Sequence, residues 1–437
     1  MSSSILDPYS YAFHDDPYPV FERLRAEQPV YYNAERDFWA LSRYDDVRAA
    51  FRDTERLSSA WGVTLEPAAY TPDAEYAMSF LAMDDPRHLR IRRLVAKAFT
   101  PKRVAALRPW IEQRVREHWA ACLDRTEFDF VADFAALVPM EVISEMMGVP
   151  IADRDELRRL GDVLIHREDG VFDVPQPAAE AFFGLYQYYV DLVAARRARP
   201  ADDLISALIA AQVENDSGAR ESLTDAEIVG ILILMIVAGN ETTTKLLGNA
   251  MYWGARHPDE GAKPFGAPSA VPDWSAETLR YDTSTQMLLR RAAVDVEFAG
   301  TVIPQGDRVL LLVASANRDE RVFDDAAAYR IGRDTSASLS FGFGSHFCLG
   351  SHLAKLEADI ALGEVVSTVR GYEVDFENIE RVHSLNVRGL SSLPVRVAKM
   401  NGPLSRPERA TSRPTDVGSG SFRSDPGNSR RDGTRAS

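Results

Sequence analysis

The chain has 437 residues, 45% of them hydrophobic and 26% charged, which is enough apolar material for a sizeable core. A formal net charge of −15 argues against nucleic-acid binding, and two cysteines leave no disulfide framework, which fits a reducing compartment.

The N-terminus, Met1 to Pro8, has no basic region followed by an apolar run, so neither a signal peptide nor a membrane anchor is expected and the cytoplasm is the expected location. Short strands are predicted at Val30 to Tyr32 and Phe38 to Leu41. Helical spacing of apolar residues follows at 92–99 and 107–115, and just before it His88 and Arg92 stand four apart, on one helix face. Cys122 lies in an apolar helical stretch without glycines and reads as core packing. The run Ile228 to Ala238 is too short to span a bilayer and predicts a buried helix. It ends in Gly239-Asn240-Glu241-Thr242, where the glycine weakens the helix and a threonine bonding back to a carbonyl can open the turn into a groove. Glu277 and Arg280, three apart, can pair on one face. Arg290 and its rival Arg291 precede a hairpin formed by 294–298 and 301–303, and a last strand is predicted at 393–397. No repeat and no alternating βαβ pattern is present, so the class is mainly α with small β-sheets. Residues 401–437 carry seven serines, five glycines, four prolines and a local charge of +3; they read as a disordered tail behind one domain of residues 1–400 at −18.

The most informative segment is Phe341-Gly342-Phe343-Gly344-Ser345-His346-Phe347-Cys348-Leu349-Gly350. Its glycines allow a tight loop that approaches a flat partner, and a helix beginning near Leu349 would aim free N–H groups at the cysteine sulfur and favour a thiolate. A zinc site built from His346, Cys348 and His352 lacks the paired ligand spacing that structural zinc requires.

The pattern Phe-Gly-x-Gly-x-His-x-Cys-x-Gly resembles the haem-binding loop of the cytochrome P-450 family, and the resemblance extends motif by motif over residues 15 to 398. It implies the cytochrome P-450 fold, a single large helical domain enclosing heme b (iron protoporphyrin IX), with Cys348 as the axial thiolate. By the same resemblance Phe341, Gly344, Gly350 and Ala238 lie against the haem, while His88, Arg92, Arg290 and His346 hold its propionates. Glu241 and Thr242 correspond to the acid and alcohol that relay protons, and Glu277, Arg280 and Arg333 correspond to a structural cluster. Three segments depart from the pattern: the Gly/Pro-rich stretch 259–268 should not form a regular helix, 326–329 lacks the usual prolines, and Phe343 replaces a histidine.

The resemblance implies a monooxygenase that inserts one oxygen atom from O2 into an apolar small molecule of steroid, terpenoid, fatty-acid or polyketide type. The alternatives are a peroxide-driven peroxygenase and a non-catalytic haem-thiolate sensor, neither of which has a use for the Glu241 and Thr242 relay. No flavin or iron–sulfur sequence is present, so a separate ferredoxin and ferredoxin reductase are implied, drawn to a basic patch at Arg90, Arg93, Lys97, Lys102, Arg103 and Lys355. A monomer that engages neither nucleic acid nor membrane is expected.

Overall fold

The structure, a computed structural model, describes residues 4–214 and 220–400. The expected tail, 401–437, lies outside them. Five strands, β1 (Val30–Asn33), β2 (Phe38–Leu41), β3 (Leu57–Ser58), β4 (Leu288–Ala292) and β5 (Arg308–Leu311), form one sheet in the order β1-β2-β5-β4-β3. All neighbours are antiparallel except β2 and β5. The expected hairpin forms between Val296–Phe298 and Thr301–Ile303. The last strand, Pro394–Lys399, pairs with Val369–Val374 and Glu127–Asp129, partners that no local pattern announces.

The helices that build the site are α1 (Arg87–Ala96), α2 (Pro101–Leu123), α3 (Leu137–Met147), α4 (Arg154–Ile165), α5 (Asp225–Arg256), α6 (Val271–Tyr281) and α7 (Ser351–Thr368). The longest, α5, starts with a capping box in which Thr224 and Glu227 satisfy each other's backbone N–H groups. At 1.5 Å per residue its 32 residues run about 48 Å through the interior. By length and composition it could cross a membrane, but most of it is buried by α3, α4, α6, α7 and their neighbours, as a core helix that is apolar on all sides must be. Trp119 of α2 packs on Phe128, Phe130 and Phe134, and Trp274 of α6 is fully buried with its indole N–H donated to Ala250. Each such ring removes roughly 150–250 Å² from water.

The Gly/Pro-rich stretch after α5 is broken, as expected, into single turns at Pro258–Gly261, Lys263–Gly266 and Pro268–Ala270. The expected opening of α5 at Gly239 does not occur. The helix is continuous from Asp225 to Arg256, and a Cβ on Gly239 would sit 3.1 Å from the Ile143 side chain. The glycine there permits close approach of α3 instead of unwinding α5.

Candidate functional site

The loop before α7 takes the shape its glycines allow. Gly342 and Gly344 have φ of +71° and +74°, and a Cβ at Gly344 would stand 3.0 Å from the Phe51 carbonyl oxygen. The Cys348 N–H closes the loop on the Phe341 carbonyl at 2.8 Å, and α7 begins three residues later. The Gly350 and Ser351 N–H groups at that helix start point at the sulfur, as the sequence suggested. They do not prevail. Burial pushes the Cys348 thiol up against the opposing pull of Gly350, Arg92 and Ser351, and a bound metal cation is what deprotonates a coordinating thiol.

Cys348 opens onto a cavity between α5 and α7. Its walls include Ala238, Gly239 and Thr242 on one side and Phe341, Leu349 and Gly350 on the other. At its edge four basic side chains converge. His88 is fully buried and stacks on His346, ring centroids 4.0 Å apart. Its Nδ1 faces Asp85 at 3.1 Å while its Nε2 has no hydrogen-bond partner. Arg92 donates to the Phe347 carbonyl. Arg290, 1% exposed, donates to its neighbour's carbonyl at Leu289, 2.8 Å away, and burial lowers it to about 10. Burial, then Arg290, His88 and Arg92, drive His346 down to about 2. A buried cluster of this kind, with an orphaned imidazole nitrogen, suits an anionic ligand. Strand alternation decides between the two arginines. Arg290 faces inward opposite Val309, whereas Arg291 points out and stacks over Trp61 at 3.9 Å.

Thr242 lines the same cavity and its hydroxyl donates to Ala238 at 2.8 Å, while its own carbonyl accepts from Ser284 at 2.7 Å. Glu241 points elsewhere. It is 1% exposed, accepts from Asn240 at 3.1 Å and lies 3.2 Å from Lys245, itself 3% exposed. Across from Glu241 on α4 is Asp162, its side chain half exposed, and burial, then the Glu241 charge, pushes its carboxyl up to about 7. Neither partner was anticipated: Lys245 carries a signal, four residues after Glu241, but Asp162 is 79 residues away and carries none.

The Glu277 and Arg280 pair, which could have been a weak surface contact, is wholly buried. Arg280 grips Glu277 with two bonds of 2.8 Å and donates to the carbonyls of Asn317, Ala326 and Ala328. Arg333 comes to 3.4 Å of Glu277, as the resemblance implied. Cys122 is buried with its thiol raised to about 11, in keeping with core packing. Of the basic patch, Arg93, Lys97, Lys102, Arg103 and Lys355 are exposed, but Arg90 is paired with Glu227 at 3.4 Å and does not belong to it. A more open, charged depression around Asp45, Arg48, Arg52 and Arg56 contains none of these candidates.

The model of the family described as Cytochrome P450 matches residues 178–263 and 275–393. The chain is 54% identical over 394 residues to the putative cytochrome P450 123 of Mycobacterium tuberculosis (strain ATCC 25618 / H37Rv), covering 90% of this chain and 97% of that relative. The chain belongs to the cytochrome P450 family. The solved structure of cytochrome P450 CYP109Q5 from Chondromyces apiculatus is similar, with a TM-score of 0.80 and 32% identity over 91% of this chain and all of that one. CYP109E1 from Bacillus megaterium, in complex with testosterone, gives a TM-score of 0.80 at 30% identity, covering 87% and 97% of the two chains. This cytochrome P450 therefore has the P450 fold and is a haem-thiolate monooxygenase.

Proposed function

We propose that this cytochrome P450 holds heme b between α5 and α7 with Cys348 as its thiolate ligand and oxidises an apolar small molecule by insertion of one oxygen atom. The observation that carries the assignment is the sulfur at the cavity wall, with basic side chains gathered at its edge and the buried His88 Nε2 left without a partner. His88, Arg92, Arg290 and His346 would hold the propionates; Phe341, Gly344 and Gly350 would cover one face, and Ala238 the other. When bound, the haem supplies dioxygen activation at the cost of two electrons. The chain's own side chains bind substrate, exclude water and move protons through Glu241 and Thr242.

Alongside polar Thr283, Ser284, Thr285 and Glu357, the walls include apolar Phe80, Leu81, Leu234, Met235, Leu288 and Val313, which supports a steroid, terpenoid, fatty-acid or polyketide skeleton. The similar CYP109E1 complex makes steroids the first class to screen. Electrons would come from a ferredoxin and its reductase, docked through Arg93, Lys97, Lys102, Arg103 and Lys355 in a soluble, cytoplasmic monomer with one domain, residues 1–400.

The test is the reduced carbon monoxide difference spectrum. Cys348→Ala is expected to lose the haem-thiolate band and Cys122→Ala to keep it; a band surviving in Cys348→Ala overturns the ligand assignment. For the relay, Thr242→Ala is expected to keep consuming reduced cofactor within about tenfold of wild type while product formation falls by ~10²–10⁴, the range for losing one acid–base participant. The missing electrons should be recovered as hydrogen peroxide, and tight coupling in that variant would show that the hydroxyl only shapes α5.

A further inference from the structure

The cavity between α5 and α7 carries on its wall an acid that the proposed function leaves idle. Gly350, Leu353, Ala354 and Glu357 recur at intervals of three and four, so they share the helix face that lines the cavity on the Cys348 side. Glu357 is 2% exposed, and its Oε2 finds no hydrogen-bond partner among the described residues. An ionised carboxylate buried in this way is costly, so the group holds its proton instead; burial is the cause that raises its carboxyl to about 8.

Among the described residues no charge answers that acid. On α7 itself Lys355 lies over the Phe341 ring and Asp359 accepts from Ser275. On the elements packed against α7, Arg108 of α2 is paired with Glu112, Glu141 of α3 with His118, Glu241 of α5 with Lys245 and Glu277 of α6 with Arg280. Lys263 is paired with Glu260, and Arg370, in the strand after α7, donates to the Met400 carbonyl. Arg92 and Arg290 line the cavity as well, where the propionates would engage them, and Arg290 stays charged to about 10. Burial holds His88 below its ordinary value and drives His346 down to about 2, so neither changes charge above neutral pH. With Cys348 as the ligand, Glu357 is the described cavity group left to change charge in the mildly alkaline range.

We propose, on the haem placement given above, that Glu357 is a redox-linked proton site: it binds one proton from solvent when the haem gains its first electron, and so spares the buried cavity an added negative charge. The electron comes from reduced ferredoxin, or from dithionite in the test. The proton converts the Glu357 carboxylate to the acid, the net charge of the cavity is unchanged, and both are given back on reoxidation. A carboxylate in a dry wall repels an incoming electron more strongly than one in water. The acid form therefore makes the haem the better electron acceptor, and by linkage the electron tightens the hold of Glu357 on its proton.

Two measurements on the haem-loaded protein test this, neither of them turnover. Wild type and Glu357→Gln are first checked for the haem-thiolate band, and their midpoint potentials are then titrated from about pH 6.5 to about pH 9.5. Wild type should be level at the acid end and fall as pH climbs through about 8, where the carboxyl ionises. The expected fall is about tenfold in the reduction equilibrium, which is about 59 mV for a one-electron couple. Glu357→Gln, neutral throughout and close in shape, should stay level. The second measurement is proton uptake on reduction in weakly buffered solution, read with an indicator dye at about pH 8.5, between the ionisation of the oxidised and reduced forms. Wild type should take up a large fraction of a proton per haem, and Glu357→Gln none. A wild-type potential that is level across the range, or a fall or an uptake that persists undiminished in Glu357→Gln, overturns the proposal. If those results come while the band is present in both proteins and lost in Cys348→Ala, the proton site fails and the haem placement stands; if Cys348→Ala keeps the band, the placement itself has failed.

Discussion

Among the described residues, two acid–base pairs are buried at helical spacing, and they differ in how completely they are satisfied. Glu277 and Arg280 of α6 meet through two bonds of 2.8 Å, and the remaining guanidinium donors are taken up by three carbonyls. Glu241 and Lys245 of α5 meet through one contact of 3.2 Å, and one glutamate oxygen is left facing a second acid. Arginine's planar fork fixes five donors at once, while lysine's ammonium is a point charge on a flexible stem. The first pair has no proton to give. The second sits beside Asp162, a half-exposed carboxyl that can take up a proton without breaking the core.

The sharpest way to break that contrast is to remove the cation from each. Arg280→Leu strands Glu277 and three carbonyls in a dry core and should cost about 3–5 kcal/mol in urea unfolding. Lys245→Met should cost less, about 1–3 kcal/mol, because the acids it leaves behind can draw a proton through half-exposed Asp162. Equal losses in the two variants would dissolve the distinction. Exchanging cation types sharpens it: Arg280→Lys, which cannot reach Glu277 and three carbonyls together, should be destabilised by about 1–3 kcal/mol. The smallest effect concerns a third buried acid, Glu357 of α7, 2% exposed, with one oxygen unpartnered and its carboxyl raised to about 8 by burial. An acid raised in the fold loses stability as pH climbs from its ordinary value to the raised one. Glu357→Gln should therefore melt with wild type at pH 5 and above it at pH 9; a constant offset would mean the group does not titrate in the folded protein.

Much of this was readable in the chain. The decamer ending at Gly350 specified the loop, its left-handed glycines and the N–H groups aimed at Cys348, because those features are local. The fold class followed from the period of the apolar residues and the lack of βαβ alternation. Burial was not readable: a Glu and an Arg three apart look the same on a wet surface as in the interior, and only the packing around α6 shows that this pair is dry. Gly239 pointed to a weak turn, yet tertiary contact with Ile143 decided its role. Asp162 was invisible because its partner is far away in sequence, and so was the desolvation that pushes the Cys348 thiol up, because burial is set by distant segments.

The alternation of β4 has a consequence for anyone recombining this chain with its relatives. Arg290 faces the cavity and Arg291 faces Trp61 because they are odd and even members of one strand, paired to β5 in a fixed register. Parity is therefore part of the design. A crossover between Asp282 and Arg290 that adds two residues leaves Arg290 facing inward, whereas one that adds a single residue turns Arg290 outward and brings Leu289 into the cavity wall. Libraries with two-residue insertions are expected to retain cofactor where one-residue insertions lose it, although both kinds keep every charge.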